Sequence, residues 1–154
     1  MKKLVISLLS ICFSFFINTI CAQTFFDANY TGKYVEQFAN GKPKYEINIV
    51  KGKREGSEIV WYESGSKKIQ TNYANDKEDG IWNQWYENGQ IKLEAHYKGG
   101  EEHGLFTQWY DNGQKRAEST FENGKKVGTE YSWDRDGKLK SQVIYKDGVV
   151  VEQL

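Results

Sequence analysis

Apolar and polar residues alternate along most of the chain, in short segments that are bounded by turn-forming residues. The segment 91–97 reads IKLEAHY, in which every second residue is apolar, from Ile91 to Tyr97. A period of two residues is typical of a β-strand with one covered face. Strand-like segments follow one another with no helical pattern between them. The pattern predicts an all-β antiparallel meander of about ten short strands.

The alternating pattern repeats every 24 residues. Five glycines mark the repeat: Gly32, Gly56, Gly80, Gly104 and Gly128. A second glycine follows each of them after nine residues: Gly41, Gly65, Gly89, Gly113 and Gly137. The first unit departs most from the others, because it has Gln37 where the other four have tryptophan. A deviating terminal unit is typical of repeat arrays, in which the end unit caps the stack.

Two turns are predicted in every unit. A dipeptide such as Asn88-Gly89 favours a two-residue hairpin turn in the middle of the unit. A four-residue loop such as 99–102 is expected between one unit and the next. These lengths pair Trp85 with Lys92 and Gly80 with Tyr97, so that an aromatic ring covers a glycine in the sheet.

The same register assigns side chains to two faces. One face carries a tryptophan row, a basic row opposite it, and a row of acids and amides. The tryptophan row is Trp61, Trp85, Trp109 and Trp133. The basic row is Lys68, Lys92, Arg116 and Lys140, preceded by Lys44 in the first unit. The row of acids and amides is Glu46, Gln70, Glu94, Glu118 and Gln142. The other face carries residues such as Trp82, Leu93 and Ala95, and is expected to be the covered, apolar side.

The sequence from Gly80 to Gln90, G-x-W-x-x-W-Y-x-N-G-Q, closely resembles the bacterial variant of the MORN repeat. This resemblance implies an elongated, single-layer rod of successive β-hairpins. It also implies either an antitoxin-like component of a toxin–antitoxin pair or a protein that holds partner proteins or lipids. We divide the resembling region into five units: 32–55, 56–79, 80–103, 104–127 and 128–154.

The N-terminus has the pattern of a signal peptide. Lys2 and Lys3 precede an apolar run from Leu4 to Ile17, and Ala22 offers a cleavage point before Gln23. The run has 14 residues, whereas a span across a bilayer needs about 20. We expect residues 1–22 to be a cleaved signal peptide and residues 23–31 to be a lead-in to the first unit. The protein is then exported and is periplasmic, envelope-associated or secreted.

Charge and composition narrow the class of partner. Without residues 1–22 the chain has 19 basic and 21 acidic residues, a formal charge of −2, which gives no long-range attraction to nucleic acid. Both cysteines, Cys12 and Cys21, leave with the signal peptide, so no disulfide is expected in the product. We expect no nucleic-acid partner and no cofactor.

The tryptophan and basic rows are the candidate binding face. Either each ring is covered by the stem of the basic residue opposite it, or the face binds an extended ligand by stacking. Neither a catalytic nor a metal-binding residue is predicted. Glu101, Glu102 and His103 lie together, but without a recognised ligand spacing, and no nucleophile has a positioned base.

The expected function is therefore that of a non-enzymatic scaffold that binds a partner protein at the cell envelope or outside the cell. Two alternatives remain open: neutralisation of a partner toxin in an immunity-like role, and attachment to a glycan or lipid surface. Self-association is a further possibility, because the sheet edges at 31–38 and 149–154 are predicted to be open.

Overall fold

A computed structural model describes residues 26–154, which form one open antiparallel sheet. The first part of the sheet contains β1 (Gly32–Gln37), β2 (Pro43–Val50), β3 (Lys53–Trp61), β4 (Lys67–Ala74), β5 (Lys77–Glu78) and β6 (Gly80–Trp85). The second part contains β7 (Ile91–Lys98), β8 (Glu101–Trp109), β9 (Lys115–Glu122), β10 (Lys125–Trp133), β11 (Leu139–Lys146) and β12 (Val149–Gln153). The predicted signal peptide and residues 23–25 of the lead-in lie outside the described residues.

The prediction of an all-β, single-layer array of hairpins is confirmed. Eleven strands lie side by side in chain order, from β1 to β12, and β5 lies off this path as a short partner of β4. The strand number is twelve rather than about ten, because one expected strand is divided into β5 and β6 and because the last residues add β12. In the described part of the chain, no helix has the length and apolar character of a membrane span.

The turn in the middle of each unit differs from the prediction. In the third unit the main-chain N–H of Gly89 donates to the carbonyl of Tyr86 over 3.0 Å, and the N–H of Tyr86 donates to the carbonyl of Gln90 over 2.8 Å. Gly89 has a φ of 86°, while Asn88 does not have a positive φ. These features define a three-residue loop, 87–89, with glycine in the left-handed position. The predicted two-residue turn at Asn88-Gly89 is therefore wrong.

The turn between units is the two-residue one. Tyr97 pairs with Glu102 and Lys98 with Glu101, so that only Gly99 and Gly100 form the loop. Both glycines have positive φ, as a type I′ turn requires. The predicted four-residue loop at 99–102 is wrong, because its last two residues pair within the sheet.

The loop is two residues shorter than predicted, and the strand has two additional residues in a bulge, 103–105, at the next marker glycine. Ala95 pairs with Phe106 and Tyr97 with Glu102, so the β8 strand has two more residues than its partner over this stretch. Gly104 lies within the bulge, with a φ of 103° that an L-residue rarely adopts. Because the bulge adds an even number of residues, two, the side chains that follow stay on their own face of the sheet. The two faces are therefore as predicted, although the predicted loop length is wrong.

The pairing of marker glycines with the aromatic position is confirmed, for example Gly80 with Tyr97. The reason for glycine is different from the expected one. A Cβ at Gly80 would lie 3.7 Å from Asn72 Nδ2 of the preceding strand, and no atom of Tyr97 is among the nearest neighbours. The positive φ of the bulge, and not the need for space under a ring, accounts for glycine here.

The predicted pairing of Trp85 with Lys92 is wrong. Trp85 pairs with Ile91, and Gln84 pairs with Leu93, so Lys92 is the extra residue of a second bulge. The same shift occurs in each unit and makes every member of the basic row an extra residue: Lys44, Lys68, Lys92, Arg116 and Lys140. The cause is the three-residue loop, which moves the return strand by one residue relative to a two-residue turn.

The covered face is the predicted apolar one. Its row through the middle of the sheet alternates larger and smaller side chains on successive strands, as in the adjacent residues Trp82, Ala95, Phe106 and Ser119. Ala95 is buried, with 1% of its surface exposed. A small residue on every second strand lets the larger neighbours close over it.

The lead-in closes the N-terminal end of the sheet. Phe26 stacks on Tyr30 and meets Tyr34 edge to face, with ring centroids 5.7 and 5.2 Å apart. Both lead-in rings pack against a cluster that contains the fully buried Ile47 and Ile49. The carbonyl of Tyr30 also accepts a hydrogen bond from the N–H of Gly52, in the way that each later turn bonds to the unit before it. The lead-in therefore substitutes for a preceding unit.

The C-terminal end has no comparable cover within the described residues. β12 pairs only with β11. Its apolar side chains are open to solvent, with Val149 65% exposed and Leu154 68% exposed. β12 is therefore an unpaired sheet edge with apolar side chains.

Candidate functional site

A row of tyrosines joins successive units at the end of the sheet that carries the three-residue loops. The hydroxyls of Tyr62, Tyr86 and Tyr110 each donate a hydrogen bond to the main-chain carbonyl of the row tryptophan in the next unit. The three distances are 2.8, 2.8 and 3.0 Å. This ladder of part-buried hydrogen bonds is a structural connection between repeats, and sequence reasoning did not predict it.

The basic row lies over these tyrosines and not over the tryptophans. Lys68 Nζ and Lys92 Nζ are each 5.5 Å from the ring centroid of the tyrosine in their own unit, and Arg116 Cζ is 6.0 Å away. As the extra residue of a bulge, each basic side chain is directed towards the loop end of its hairpin. The last member, Lys140, has no ring to cover, because Asp134 occupies the tyrosine position of the fifth unit.

The row tryptophans are half-buried, and three of them, Trp85, Trp109 and Trp133, accept the ladder bonds through their carbonyls. Trp133 stacks on Tyr131 with centroids 5.9 Å apart, and the cation nearest to Trp85 is Lys67, at 6.0 Å, which belongs to the preceding unit. The structure therefore does not bring the tryptophans and the basic row together as the predicted pairs. Trp61 and Trp109 are likewise half-buried, and whether any of these rings contacts a ligand remains a prediction.

Asp134 shows why the tyrosine position changes in the last unit. Its Oδ1 accepts hydrogen bonds from the N–H groups of Asp136 and Lys138, at 3.0 and 2.9 Å, and so it stabilises its own loop. Within residues 26–154, no tryptophan of a later unit offers its carbonyl to this position.

A second row, on the covered face, alternates aromatic and charged side chains near the turns between units. We call it the aromatic–charged row, and its members are Arg54, Tyr73, Glu78, Tyr97, Glu102, Phe121, Lys126 and Tyr145. The strand register pairs Tyr73 with Glu78, Tyr97 with Glu102, and Phe121 with Lys126. One aromatic side chain and one charged side chain therefore face each other in the second, third and fourth units.

Cations occupy the two ends of this row. Arg54 Cζ lies 4.0 Å from the ring centroid of Tyr73, and Arg54 Nε lies 3.3 Å from Asp76 Oδ1. Lys126 Nζ lies 5.1 Å from the ring centroid of Tyr145 and 6.0 Å from that of Phe121. These distances are typical of cation–π contacts.

The middle of the row is anionic. Tyr97 is half-buried between the strands that carry Glu78 and Glu102. Burial raises the pKa of Tyr97 to about 12, and the negative charges of Glu102 and Glu78 add to the increase. Burial also raises the pKa of the Glu102 carboxyl, although nearby Lys126 opposes the change. Within residues 26–154, no cationic group lies over the Tyr97 ring.

Glu58 adds a further carboxylate to the same face. Its Oε2 is buried and has no hydrogen-bond partner within the described residues. Burial raises the pKa of the Glu58 carboxyl, and the positive charge of Arg54 and the nearby hydroxyls of Tyr73 and Tyr45 only partly offset this. The face therefore combines aromatic rings with carboxylates that are poorly compensated.

The two histidines, His96 and His103, do not form a recognisable metal site with the acids near them. His96 Nε2 lies 3.8 Å from Glu94 Oε1, and His103 is exposed. Among residues 26–154, no group of three or more histidine, aspartate or glutamate side chains is placed to hold a metal ion.

Sequence reasoning missed the aromatic–charged row because it assigned Glu78 and Glu102 to loops. The available signal was the recurrence of a charged residue two positions before the last four marker glycines: Arg54, Glu78, Glu102 and Lys126. A two-residue turn would have placed this position opposite the aromatic one.

Comparison with known families agrees with the repeat. A family profile described as MORN repeat variant matches residues 54–75, 78–98, 102–123 and 126–147, which together are more than half of the chain. Each match begins two residues before a marker glycine, at the charged position of the aromatic–charged row, and most of the first unit lies outside the matches. No curated protein matches the chain significantly.

Proposed function

Because this chain belongs to the MORN repeat variant family, we propose that it is a non-enzymatic protein that binds a partner protein along one face of its sheet. MORN repeats are generally associated with the binding of proteins or membrane lipids. A single-layer sheet suits this task, because side chains recur at a fixed spacing of about 10 Å per hairpin.

The aromatic–charged row is the observation that supports this proposal. It combines half-buried aromatic rings with charged groups, and tyrosine is one of the residues that most often dominate the binding energy of protein interfaces. Tyr97 contributes a rigid ring, and Glu78 and Glu102 contribute charges that a partner can pair. Contacts repeated along the row would add up, as in multivalent binding.

The charges on this face favour a protein over a lipid surface. Glu58, Glu78 and Glu102 lie on the aromatic face, whereas anionic lipid headgroups attract clusters of lysine and arginine. The basic row does not form such a cluster, because its members are spaced one per repeat at the loop end and lie over tyrosines. The charges on this face therefore support the binding of a protein more than the binding of a membrane lipid.

The proposed place of action is the cell envelope or the exterior. Lys2, Lys3, the apolar run that follows and the small residue Ala22 support export with cleavage. N-terminal sequencing of the protein recovered from cells that produce it tests this, and we expect a start at Gln23. A start at Met1 or Lys2 in the mature protein would contradict export by this route.

Site-specific photocrosslinking tests the binding function and its face. A benzophenone side chain is introduced at Lys126, on the aromatic face, and in a matched protein at Glu87, which is exposed in a loop at the opposite end of a hairpin. We expect one predominant protein adduct from position 126 and a much weaker one from position 87. Equal labelling from both positions would contradict a defined face.

The lipid alternative is tested with vesicles. The chain is mixed with vesicles of phosphatidylglycerol and, separately, of phosphatidylcholine, and sedimented. We expect it to remain in solution with both. Sedimentation with the anionic vesicles, together with no crosslinked protein, would replace the proposed protein partner by a membrane surface.

A further inference from the structure

In the aromatic–charged row, each aromatic ring has charged side chains beside it. The charged side chain is a cation at some rings and a carboxylate at others. Arg54, at the end of the first unit, lies 4.0 Å from the ring centroid of Tyr73 in the second unit. In the fifth unit the ring of Tyr145 has Lys126 at 5.1 Å, and the same lysine reaches Phe121 at 6.0 Å. The row has four aromatic rings, and three of them, Tyr73, Phe121 and Tyr145, have a cation of the same chain over the ring.

Tyr97 is the fourth ring, and its neighbours have the opposite charge. Glu102 is its cross-strand partner, and Glu78 is close enough for its charge to act on the Tyr97 hydroxyl. Glu78 occupies the position that Arg54 occupies one unit earlier, and Glu102 the position that Lys126 occupies one unit later. No cation from the described residues lies over Tyr97.

The two carboxylates are also incompletely paired. The Tyr73 hydroxyl donates to Glu78 Oε1 over 3.3 Å, which is a long hydrogen bond. Lys126, the cation nearest along the row to Glu102, forms its ion pair with Glu130. A half-buried anionic pair beside an aromatic face is complementary to a single positive charge.

We propose that Tyr97, Glu78 and Glu102 form a socket for one lysine or arginine side chain of the partner protein. The ammonium or guanidinium group lies over the Tyr97 ring and between the two carboxylates, as Arg54 lies over Tyr73 beside Asp76. This inference rests on the proposed protein-binding function and names the chemistry that the partner presents at the centre of the row.

The first test uses three short peptides and the full chain. The peptides are acetyl-Gly-Lys-Gly-amide, acetyl-Gly-Arg-Gly-amide and the uncharged acetyl-Gly-Gln-Gly-amide. With tyrosine labelled by ¹³C, the ring signals of Tyr97 report on the socket. We expect saturable shifts of these signals with the lysine and arginine peptides and none with the glutamine peptide. Equal shifts with all three, or no shift with either cation, would overturn the proposal.

Variants separate the socket from general charge attraction. Glu78→Gln combined with Glu102→Gln should weaken peptide binding about tenfold, because two partly desolvated charge pairs are lost while the Tyr97 ring is kept. The matched control is Glu63→Gln combined with Glu87→Gln, which removes the same charge from exposed loop positions and should change binding less than twofold. Equal losses in the two double variants would overturn the proposal.

A second variant fills the socket from within. Glu102→Lys places a lysine opposite Tyr97, at the position from which Lys126 reaches its own cross-strand partner, Phe121, at 6.0 Å in the next unit, so we expect the chain to stay folded and the Tyr97 signals to stop responding to peptides. Circular dichroism and the thermal midpoint verify the fold. A folded Glu102→Lys protein that still binds the lysine peptide as the wild type does would overturn the proposal.

The proposed function and this inference fail in different ways. If photocrosslinking identifies a partner and the Glu78/Glu102 double variant binds it as tightly as the wild type, the socket is wrong and the binding function stands. If no partner protein is crosslinked, the binding function fails, whatever the peptides do.

Discussion

The hydroxyl of Tyr86 donates a hydrogen bond to the main-chain carbonyl of Trp109 in the next repeat, over 2.8 Å. The same contact joins Tyr62 to Trp85 and Tyr110 to Trp133. Through this contact, a side chain joins two neighbouring hairpins at a point where their main chains no longer pair. In repeat proteins the interfaces between neighbouring units supply much of the stability, so this ladder should be measurable.

Tyr86→Phe tests the ladder directly. The substitution keeps the ring and removes the hydroxyl, so we expect the free energy of unfolding to fall by about 1 kcal/mol, since the Trp109 carbonyl loses a part-buried partner. Urea unfolding measures the change. Tyr131→Phe is the matched control, because the Tyr131 hydroxyl makes no hydrogen bond within the described residues. Equal losses in both variants would show that the ladder bond adds nothing.

Phe38→Tyr should change the free energy of unfolding in the opposite direction. Phe38 occupies the ladder position of the first unit and lacks the hydroxyl that the next three units have. Adding it should allow a bond to the carbonyl of Trp61 and raise the free energy of unfolding by about 0.5–1 kcal/mol. Thermal unfolding by circular dichroism gives the result, and a lower midpoint than that of the wild type would contradict it.

Gly104→Ala tests the reason given for the marker glycines. A Cβ there would meet His96 Cβ at 3.5 Å, an ordinary contact, so the cost comes from the φ of 103°. We expect a loss of about 1–2 kcal/mol. Leu105→Ala is the control, because it removes a larger side chain that is 44% exposed and should cost less. A harmless Gly104→Ala would refute the strained bulge.

Glu58→Gln tests the buried carboxylate through pH. Because the pKa of Glu58 is raised in the folded state, its contribution favours folding at low pH and is lost as pH rises from about 4.5 through the raised value. The variant should lose this part of the pH dependence and be relatively more stable at pH 7. Urea unfolding between pH 4.5 and 7 measures it, with Glu63→Gln, an exposed residue, as the control. An unchanged pH profile in Glu58→Gln would contradict the assignment.

The 24-residue period, the two faces and the Gly80–Tyr97 pairing could be predicted from sequence, because they depend only on spacing and alternation. The turn lengths could not. Asn-Gly suits a two-residue turn and also a three-residue loop with glycine in the left-handed position, as at Gly89. Asn75 and Asp76 form a two-residue turn although neither is glycine, which propensity alone does not favour.

The candidate site depended on those turn lengths. A shift of one residue in the three-residue loop moved Lys92 from Trp85 to the ring of Tyr86. A loop shortened by two residues placed Glu102 in the sheet opposite Tyr97. The members of each row could be predicted from the sequence. The residues that face them across the strands could not, because cross-strand contacts change with every residue added to a turn.

The number of strands on the path from β1 to β12 is odd, and all neighbours are antiparallel, so the first and last strands point the same way. A second copy added head to tail would meet the first with a parallel pair, against the pattern of the whole sheet. Two copies related by a twofold axis at β12 would instead meet antiparallel. Contact of that kind uses both β12 edges at one interface, so the parity of the strand count favours a twofold dimer over head-to-tail addition at this edge.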